Sequence, residues 1–480
     1  MAAAPGDRRS LRIALAAVVA CAAALRLAAT RNDLWLDEIW SLTLVNTLHS
    51  PWGIVTELRH DNNHVLNTLA LYCLRPLGSD WVYRLPAWIA GIATILLGVR
   101  LAMLAGDARH AGVRGLVAGL VLGGSYPLVH YGSEARGYAL SIAFGLAAVA
   151  IAFGDGVTPR SRHAPLAWVA LVLALLAHAL AIHMLVALAV WTAVRALQRD
   201  GFARGTATLV WWLGVPVAAF AAFYVGFLRG VTIGGGPREG AMPPLLRAIA
   251  TTTGLPFEAP PALLLVVAAG VLVAGLGWLI RQRSDAWVLY LVAVVGSPLL
   301  LGILQPTNLY AERYFLVSAT FWLLLLAQLL GWLWTRDLAS RAVVAAVLAA
   351  FLAGNGARIA WLLRDGRGAY QEALGYMVRH TAGDTLVVTS DHDFRNRLVI
   401  EYFAPRFAKP IRYLRANELA APGPQWYVAH RALGEAPPPA VVVDRLGDRY
   451  QLETEYPTAP LSGFRWFVFR RVTPAAEPPP

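Results

Sequence analysis

The sequence predicts an α-helical polytopic membrane protein of about eleven transmembrane helices plus interfacial helices, followed by a small C-terminal α/β extracytoplasmic domain. Three observations lead there. Hydrophobic residues make up 57% of the 480-residue chain and charged residues only 15%, with a mean hydropathy of +0.53, the balance of a protein whose solvent is a bilayer. Apolar runs long enough to cross the hydrocarbon core, about 17–25 residues each, recur along the first three quarters of the chain. The basic residues, all arginine except Lys409, fall in short clusters between those runs. The formal charge of +12 therefore reports membrane topology and not nucleic-acid binding.

Taken in order, the runs lie near residues 11–29, 84–105, 111–130, 135–153, 164–180, 181–197, 206–228, 262–281, 286–304, 314–334 and 341–363. The stretch 164–197 is too long for one span, and His178 and His183 mark its break. The run 64–77 is too short to cross and reads as an interfacial helix on the outer face. With the N-terminus inside, every inner loop carries at least two arginines, among them Arg109 and Arg114, Arg160 and Arg162, Arg195 and Arg199, and Arg281 and Arg283. Counting 64–77 as a span would invert every later loop. No small-residue cleavage site precedes the first acidic loop, so the first run is expected to stay in the protein. Cys21 and Cys73 are too few for a disulfide framework or a zinc site.

The domains follow: a transmembrane domain over 1–363, with a first outer loop over 30–83, an extracytoplasmic α/β domain over 364–473, and a proline-rich, disordered tail over 474–480. In the α/β domain, AYQEALGYMVRH reads as an amphipathic helix and TLVVTS as a strand. FRNRLVIEYFA reads as a second helix, and QWYVAH, AVVVD and FRWFVFRR as further strands.

Four motifs fall on the outer side. LWLDEIWSL places Asp37 and Glu38 together just after the first span. DNNHVLNTL carries Asp61, Asn62, Asn63 and His64 at the start of the interfacial helix. HYGSEARGY, with Glu134, Arg136 and Tyr138, joins two spans, and NLYAERYF, with Glu312, Arg313 and Tyr314, opens a late one. Charge at span ends facing one compartment marks a polar cavity bordered by lipid.

These motifs resemble those of the GT-C glycosyltransferases, which include protein O-mannosyltransferases and lipid A aminoarabinose transferases. The acidic pair in the first outer loop, EARGY after a later span, and the Arg-Tyr pair opening a late span carry the resemblance. It implies an inverting transferase that takes a sugar from a polyprenyl-phosphate donor, with Asp37 as general base. Catalytic roles then fall to Asp37 and Glu38, the latter to position the acceptor or a cation. Arg136, Glu134, Arg313, Tyr138, Tyr314, His64 and Asn63 are the residues for the donor phosphate and sugar, guanidinium being suited to phosphate oxygens by its planar fork. The acceptor would be an envelope lipid, glycan or protein, the location the cytoplasmic (inner) membrane among its lipids, with no nucleic acid. The residues single out no particular cofactor, and a divalent cation is compatible with them.

Most of these residues also admit a structural reading. Glu134 and Arg136 also suit a structural ion pair at a tight turn, Arg313 a headgroup contact, and His64 and His183 a polar gap in a bundle. SDHDF (390–394) has the composition of a metal site, but three adjacent residues on an extended chain cannot all face one ion. GGGPREG (234–240) lacks the Lys-Ser/Thr of a phosphate-binding loop and reads as a mobile outer loop. A transporter or flippase would share the polar cavity, but would be expected to show internal repeats and interrupted helices at the midplane.

Overall fold

The computed structural model describes residues 5–106, 108–234, 239–304 and 310–472. Most of the glycine-rich loop, the first two residues of NLYAERYF and the proline-rich tail lie outside them. The chain forms two compact units, Met1–Thr30 with Val45–Ile359, and Arg31–Leu44 with Ala360–Pro480. The C-terminal unit thus begins four residues before the expected boundary and includes a piece of the first outer loop.

The first unit is a helical bundle, and each of the eleven apolar runs falls on helix. Among the described residues eight helices are long and apolar enough to cross a membrane. The count differs from the eleven runs for local reasons. The runs 181–197 and 206–228 form one helical stretch, Ala181–Gly226, bent between them at Gly201, whose φ of 72° and ψ of 178° interrupt the helical backbone. Helix Ala164–Ala177 stops at His178, and the next begins three residues later, where the two histidines place the break. The interfacial run forms helix Val65–Leu74 with a 3₁₀ turn, Arg75–Leu77.

The run 111–130 is divided, Ala111–Gly124 and Tyr126–Tyr131, with Ser125 extended between them. A break among buried helices leaves carbonyls and amides without partners. The fully buried Arg26 donates to the carbonyls of Leu122 (3.1 Å) and Gly123 (3.2 Å), and the Asn355 side-chain oxygen accepts from the Tyr126 amide (2.8 Å).

Three arginines of the clusters between apolar runs bond neighbouring segments. Arg195 bonds Asp285 (2.7 Å) and the Gly156 carbonyl (3.0 Å), Arg199 reaches Val157 (2.9 Å), and Arg114 bonds the Ala102 carbonyl (3.1 Å). Helices Tyr138–Asp155 and Ala181–Gly226 lead from these loops back to residues 131–138 and 178–180, which pack on the 60–64 segment.

The second unit contains a six-stranded sheet of β1 (Leu386–Ser390), β2 (Ile411–Tyr413), β3 (Trp426–Arg431), β4 (Val441–Val443), β5 (Arg449–Tyr456) and β6 (Arg465–Arg471), in the order β2-β1-β3-β6-β5-β4. The β2-β1-β3 part is parallel and the rest antiparallel. Trp426, Trp466, Tyr370 and Phe403 are fully buried in it. Both expected helices form, Tyr370–Arg379 and Asp393–Phe403. The sequence reading missed β2, only three residues long, and β5, whose RYQLETEY alternates buried and exposed positions with too few apolar residues to stand out.

Candidate active site

In the helical unit three of the four motifs meet around a cavity of about 260 Å³. Its polar lining includes His60, Asp61, His64, Arg136, His178 and Arg313, and its apolar wall includes Phe223, Phe227 and Ile233. The polar residues sit at helix ends or in the segments that join helices. His64 is the residue before helix Val65–Leu74. Arg136 lies in the turn preceding helix Tyr138–Asp155, held to the interfacial helix by Asn67 Nδ2, which donates to the Ala135 carbonyl (3.0 Å). The glycine of EARGY is required by close approach, since a Cβ on Gly137 would lie 1.9 Å from the Ala177 carbonyl oxygen. The apolar wall is fastened by a short parallel bridge, in which the Asp61 amide donates to Thr232 (3.0 Å) and the Thr232 amide to Arg59 (2.9 Å).

His64 shows what the cavity is built to hold. Its Nδ1 accepts from the Gly137 amide at 3.0 Å, so in the neutral ring the proton is on Nε2. Burial, then Arg136, His178 and Arg313, hold His64 well below its usual 6.5, keeping it neutral near pH 7. Nε2 lies 3.4 Å from Arg136 Nη2. Two donors therefore stand side by side at the cavity, an arrangement suited to an anion. Asn62 accepts from Arg136 Nη1 and so holds the guanidinium in place. Across the cavity Arg313 lies 5.7 Å over the Tyr314 ring. Asp61 is the carboxylate of the cavity. Burial raises its pKa, but hydrogen bonds from the His60 side chain and the Gly234 amide outweigh that and keep it ionised below its usual 3.8.

The expected site residues divide by role. Arg136, Arg313, Tyr138, Tyr314 and His64 line the cavity. Asn63 borders it, but its amide braces the preceding loop by donating to the carbonyls of Ile54 (2.6 Å) and Leu58 (2.9 Å). The neighbouring Asn62 makes the contact to Arg136. Glu134 is fully buried and pairs with His130 at 3.4 Å. Glu312 pairs with Arg247, which also bonds Glu239. His183 is buried within its helix. His178, read in the sequence only as a helix break, meets His64 edge to face at 4.4 Å and lies tilted against Tyr138 at 4.5 Å. A histidine that ends an apolar helix on the side where the other motifs gather was the available signal for it.

Asp37 and Glu38 belong to the other unit, on helix Leu36–Asn46. Glu38 is fully buried, and its Oε2 accepts from the Trp35 amide at 3.1 Å. That is half of a capping box, a third-position Glu reaching back to the residue before the helix. Asp37 is half-buried.

The residues of SDHDF turn to separate partners. Asp391 accepts from His430 (2.9 Å) and Arg431 (2.8 Å), and Asp393 accepts from the Tyr413 hydroxyl (2.8 Å). Among the described residues no three His, Cys, Asp or Glu side chains are grouped to hold a metal ion. Burial raises the Asp391 pKa, and the hydrogen bonds from His430 and Arg431 more than offset it, leaving the group below its ordinary 3.8. A depressed carboxyl contributes stability above its unfolded pKa and loses it as pH falls through the folded one. Asp391→Asn is therefore expected to destabilise the sheet at neutral pH and to flatten its loss of stability below about pH 4. Hydrogen exchange of the β1 and β3 amides across that range measures both effects.

The helical bundle with a polar cavity at its helix ends, and the small α/β domain after it, make up a fold that solved membrane proteins share. ArnT from Cupriavidus metallidurans shares it. Its apo structure aligns with a TM-score of 0.52 and 13% identity over 95% of this chain and 97% of that one. Its complex with undecaprenyl phosphate aligns with a TM-score of 0.51 and 13% identity over 97% of this chain and 99% of that one. The apo oligosaccharyltransferase of Archaeoglobus fulgidus aligns with a TM-score of 0.48 and 10% identity over 80% of this chain. The chain spans 63% of that protein's length. No protein-family model and no curated protein matches the sequence.

Proposed function

We propose that this protein is an integral-membrane glycosyltransferase that moves a sugar from a polyprenyl-phosphate-linked donor to an envelope lipid, glycan or protein acceptor on the outer face of the cytoplasmic membrane. The observation that carries this reading is the convergence of Arg136 and the Nε2–H of neutral His64, with Arg313 on the same cavity. Buried cationic and neutral donors at the end of a membrane bundle suit a phosphate whose lipid tail stays in the bilayer.

A second cavity of about 310 Å³ supports the same donor class. It is lined by apolar side chains such as Leu245, Leu272, Phe315 and Trp322. Tyr314 faces the polar cavity and Phe315 the apolar one, so adjacent residues serve a headgroup and a hydrocarbon chain. The fold shared with a protein crystallised with undecaprenyl phosphate points the same way.

In the proposed mechanism Arg136, His64 and Arg313 hold the donor phosphate and take up the charge that develops on it as the glycosidic C–O bond breaks. Polyprenyl phosphate then leaves as an anion that needs no proton. Asp37 accepts the proton of the incoming acceptor hydroxyl as its oxygen bonds to the anomeric carbon. Direct displacement inverts that carbon. Glu38, already engaged in capping its own helix, is assigned to holding Asp37 in place.

The deciding experiment is transfer of a labelled sugar from a polyprenyl-phosphate donor by the purified full chain in lipid nanodiscs, with acceptor identity read by mass spectrometry of envelope glycolipids and glycoproteins from cells with and without the gene. Unchanged profiles, together with no turnover of any lipid donor, would remove the proposal. Topology is tested separately. Reporter fusions at residues 110, 200 and 283 are expected to read inside and one at 370 outside. An inside reading at 370 would place Asp37's supporting domain on the wrong side for this mechanism.

A further inference from the structure

We infer that the C-terminal α/β domain orients the acidic helix and so positions Asp37, an inference that rests on the reading of Asp37 as the base. In the sequence, residues 31–44 belong to a loop of the helical domain. In the fold they form one compact unit with Ala360–Pro480.

Three contacts fasten the segment, two before the acids and one after. Asp33 accepts from the Gln371 backbone amide (2.8 Å) and from Gln371 Nε2 (2.6 Å). Gln371 is the second residue of helix Tyr370–Arg379, so Asp33 caps that helix from a distant part of the chain and sets a carboxylate at the positive end of its dipole. The fully buried Arg367 donates to Asn32 Oδ1 at 3.1 Å. Gly366 backs onto the same residue so closely that a Cβ would come within 2.7 Å of the Asn32 Cβ. On the far side of the acids, the Trp40 ring meets Phe394 edge to face at 4.8 Å.

The spacing gives these contacts their consequence. Trp40 follows Asp37 by three residues, so the two share a helix face. Docking Trp40 on Phe394 fixes the rotation of the helix about its axis, and docking Asn32 and Asp33 fixes its starting point. The Glu38 cap at the Trp35 amide holds the first turn between them. A general base works only within hydrogen-bond reach of the proton it takes, so a loose helix would leave Asp37 present but misplaced. Asp33, Gln371 and Phe394 are thus positioning residues.

The test uses full-length protein in nanodiscs. Asp33→Ala and Phe394→Ala are expected to raise hydrogen exchange across Leu36–Asn46 about 5–30-fold, the effect of losing a cap or an aromatic contact, while β1, β3 and β6 stay protected. Both should lower kcat and leave the donor KM unchanged, and Phe394→Tyr should restore kcat. Unchanged exchange in Leu36–Asn46 in both alanine variants overturns the inference, as does raised exchange with wild-type kcat. Absence of any transfer by the wild-type protein would remove the glycosyltransferase reading and the positioning of a base with it. In that case the exchange result still reports separately whether the domain holds the helix.

Discussion

Asp37→Asn is expected to lower glycosyl transfer by about 10²–10⁴-fold, the usual contribution of a positioned general base, while binding of the lipid donor stays near wild type. The substitution keeps the shape of the side chain and removes its basicity. Glu38→Gln is expected to act differently. Glu38 is fully buried and accepts from the Trp35 amide, and Gln keeps an oxygen for that contact, so the chemical step should change little and stability modestly. Single-turnover rates with a labelled polyprenyl-phosphate sugar, measured beside equilibrium donor binding, separate the two. If Asp37→Asn turns over normally, the base is elsewhere. Asp61 is then the next residue to test, being the ionised carboxylate on the cavity itself.

The second large effect is expected at the phosphate. Arg136→Ala removes a guanidinium that is 3% exposed and bound to Asn62, and Arg313→Ala removes its counterpart on the same cavity. A hydrogen bond to a charged group is worth about 1.5–3 kcal/mol, so each truncation should weaken donor binding about 10–100-fold. Lysine at either position returns the charge without the planar fork, and only part of the loss should recover. Asn62→Ala should give a smaller loss, because it frees Arg136 without removing it. Titration of polyprenyl phosphate into each variant measures these effects, and wild-type affinity in both alanine variants would remove the assignment.

How much of this was legible along the chain depended on the kind of information each feature carries. Hydropathy is a sum over neighbours in sequence, so the apolar runs, the break at His178 and the short interfacial helix could all be read from it. Arginine clustering likewise sorted the loops into two sets, and Arg195 with Asp285 and the 156–157 carbonyls brings one of those sets together. The motif residues Arg136, His64 and Arg313 were readable as charge at span ends. Strand β5 was not, because its buried positions are set by the neighbouring strand and not by its own polar sequence.

What the sequence determined by itself, then, was the membrane class, the helical runs and which short motifs place charge at helix ends. The tertiary structure decided which side chain of each motif faces which partner. DNNH offers two asparagines. The fold turns Asn62 to Arg136 and Asn63 to the carbonyls of Ile54 and Leu58. EAR offers an acid beside an arginine, and the fold pairs Glu134 with His130. The acidic segment joins a domain more than three hundred residues away through Asp33 and Gln371. Composition and spacing report the free energy of placing a segment in lipid or water. Side-chain direction and long-range pairing depend on what the rest of the chain packs against it, and only the fold supplies that.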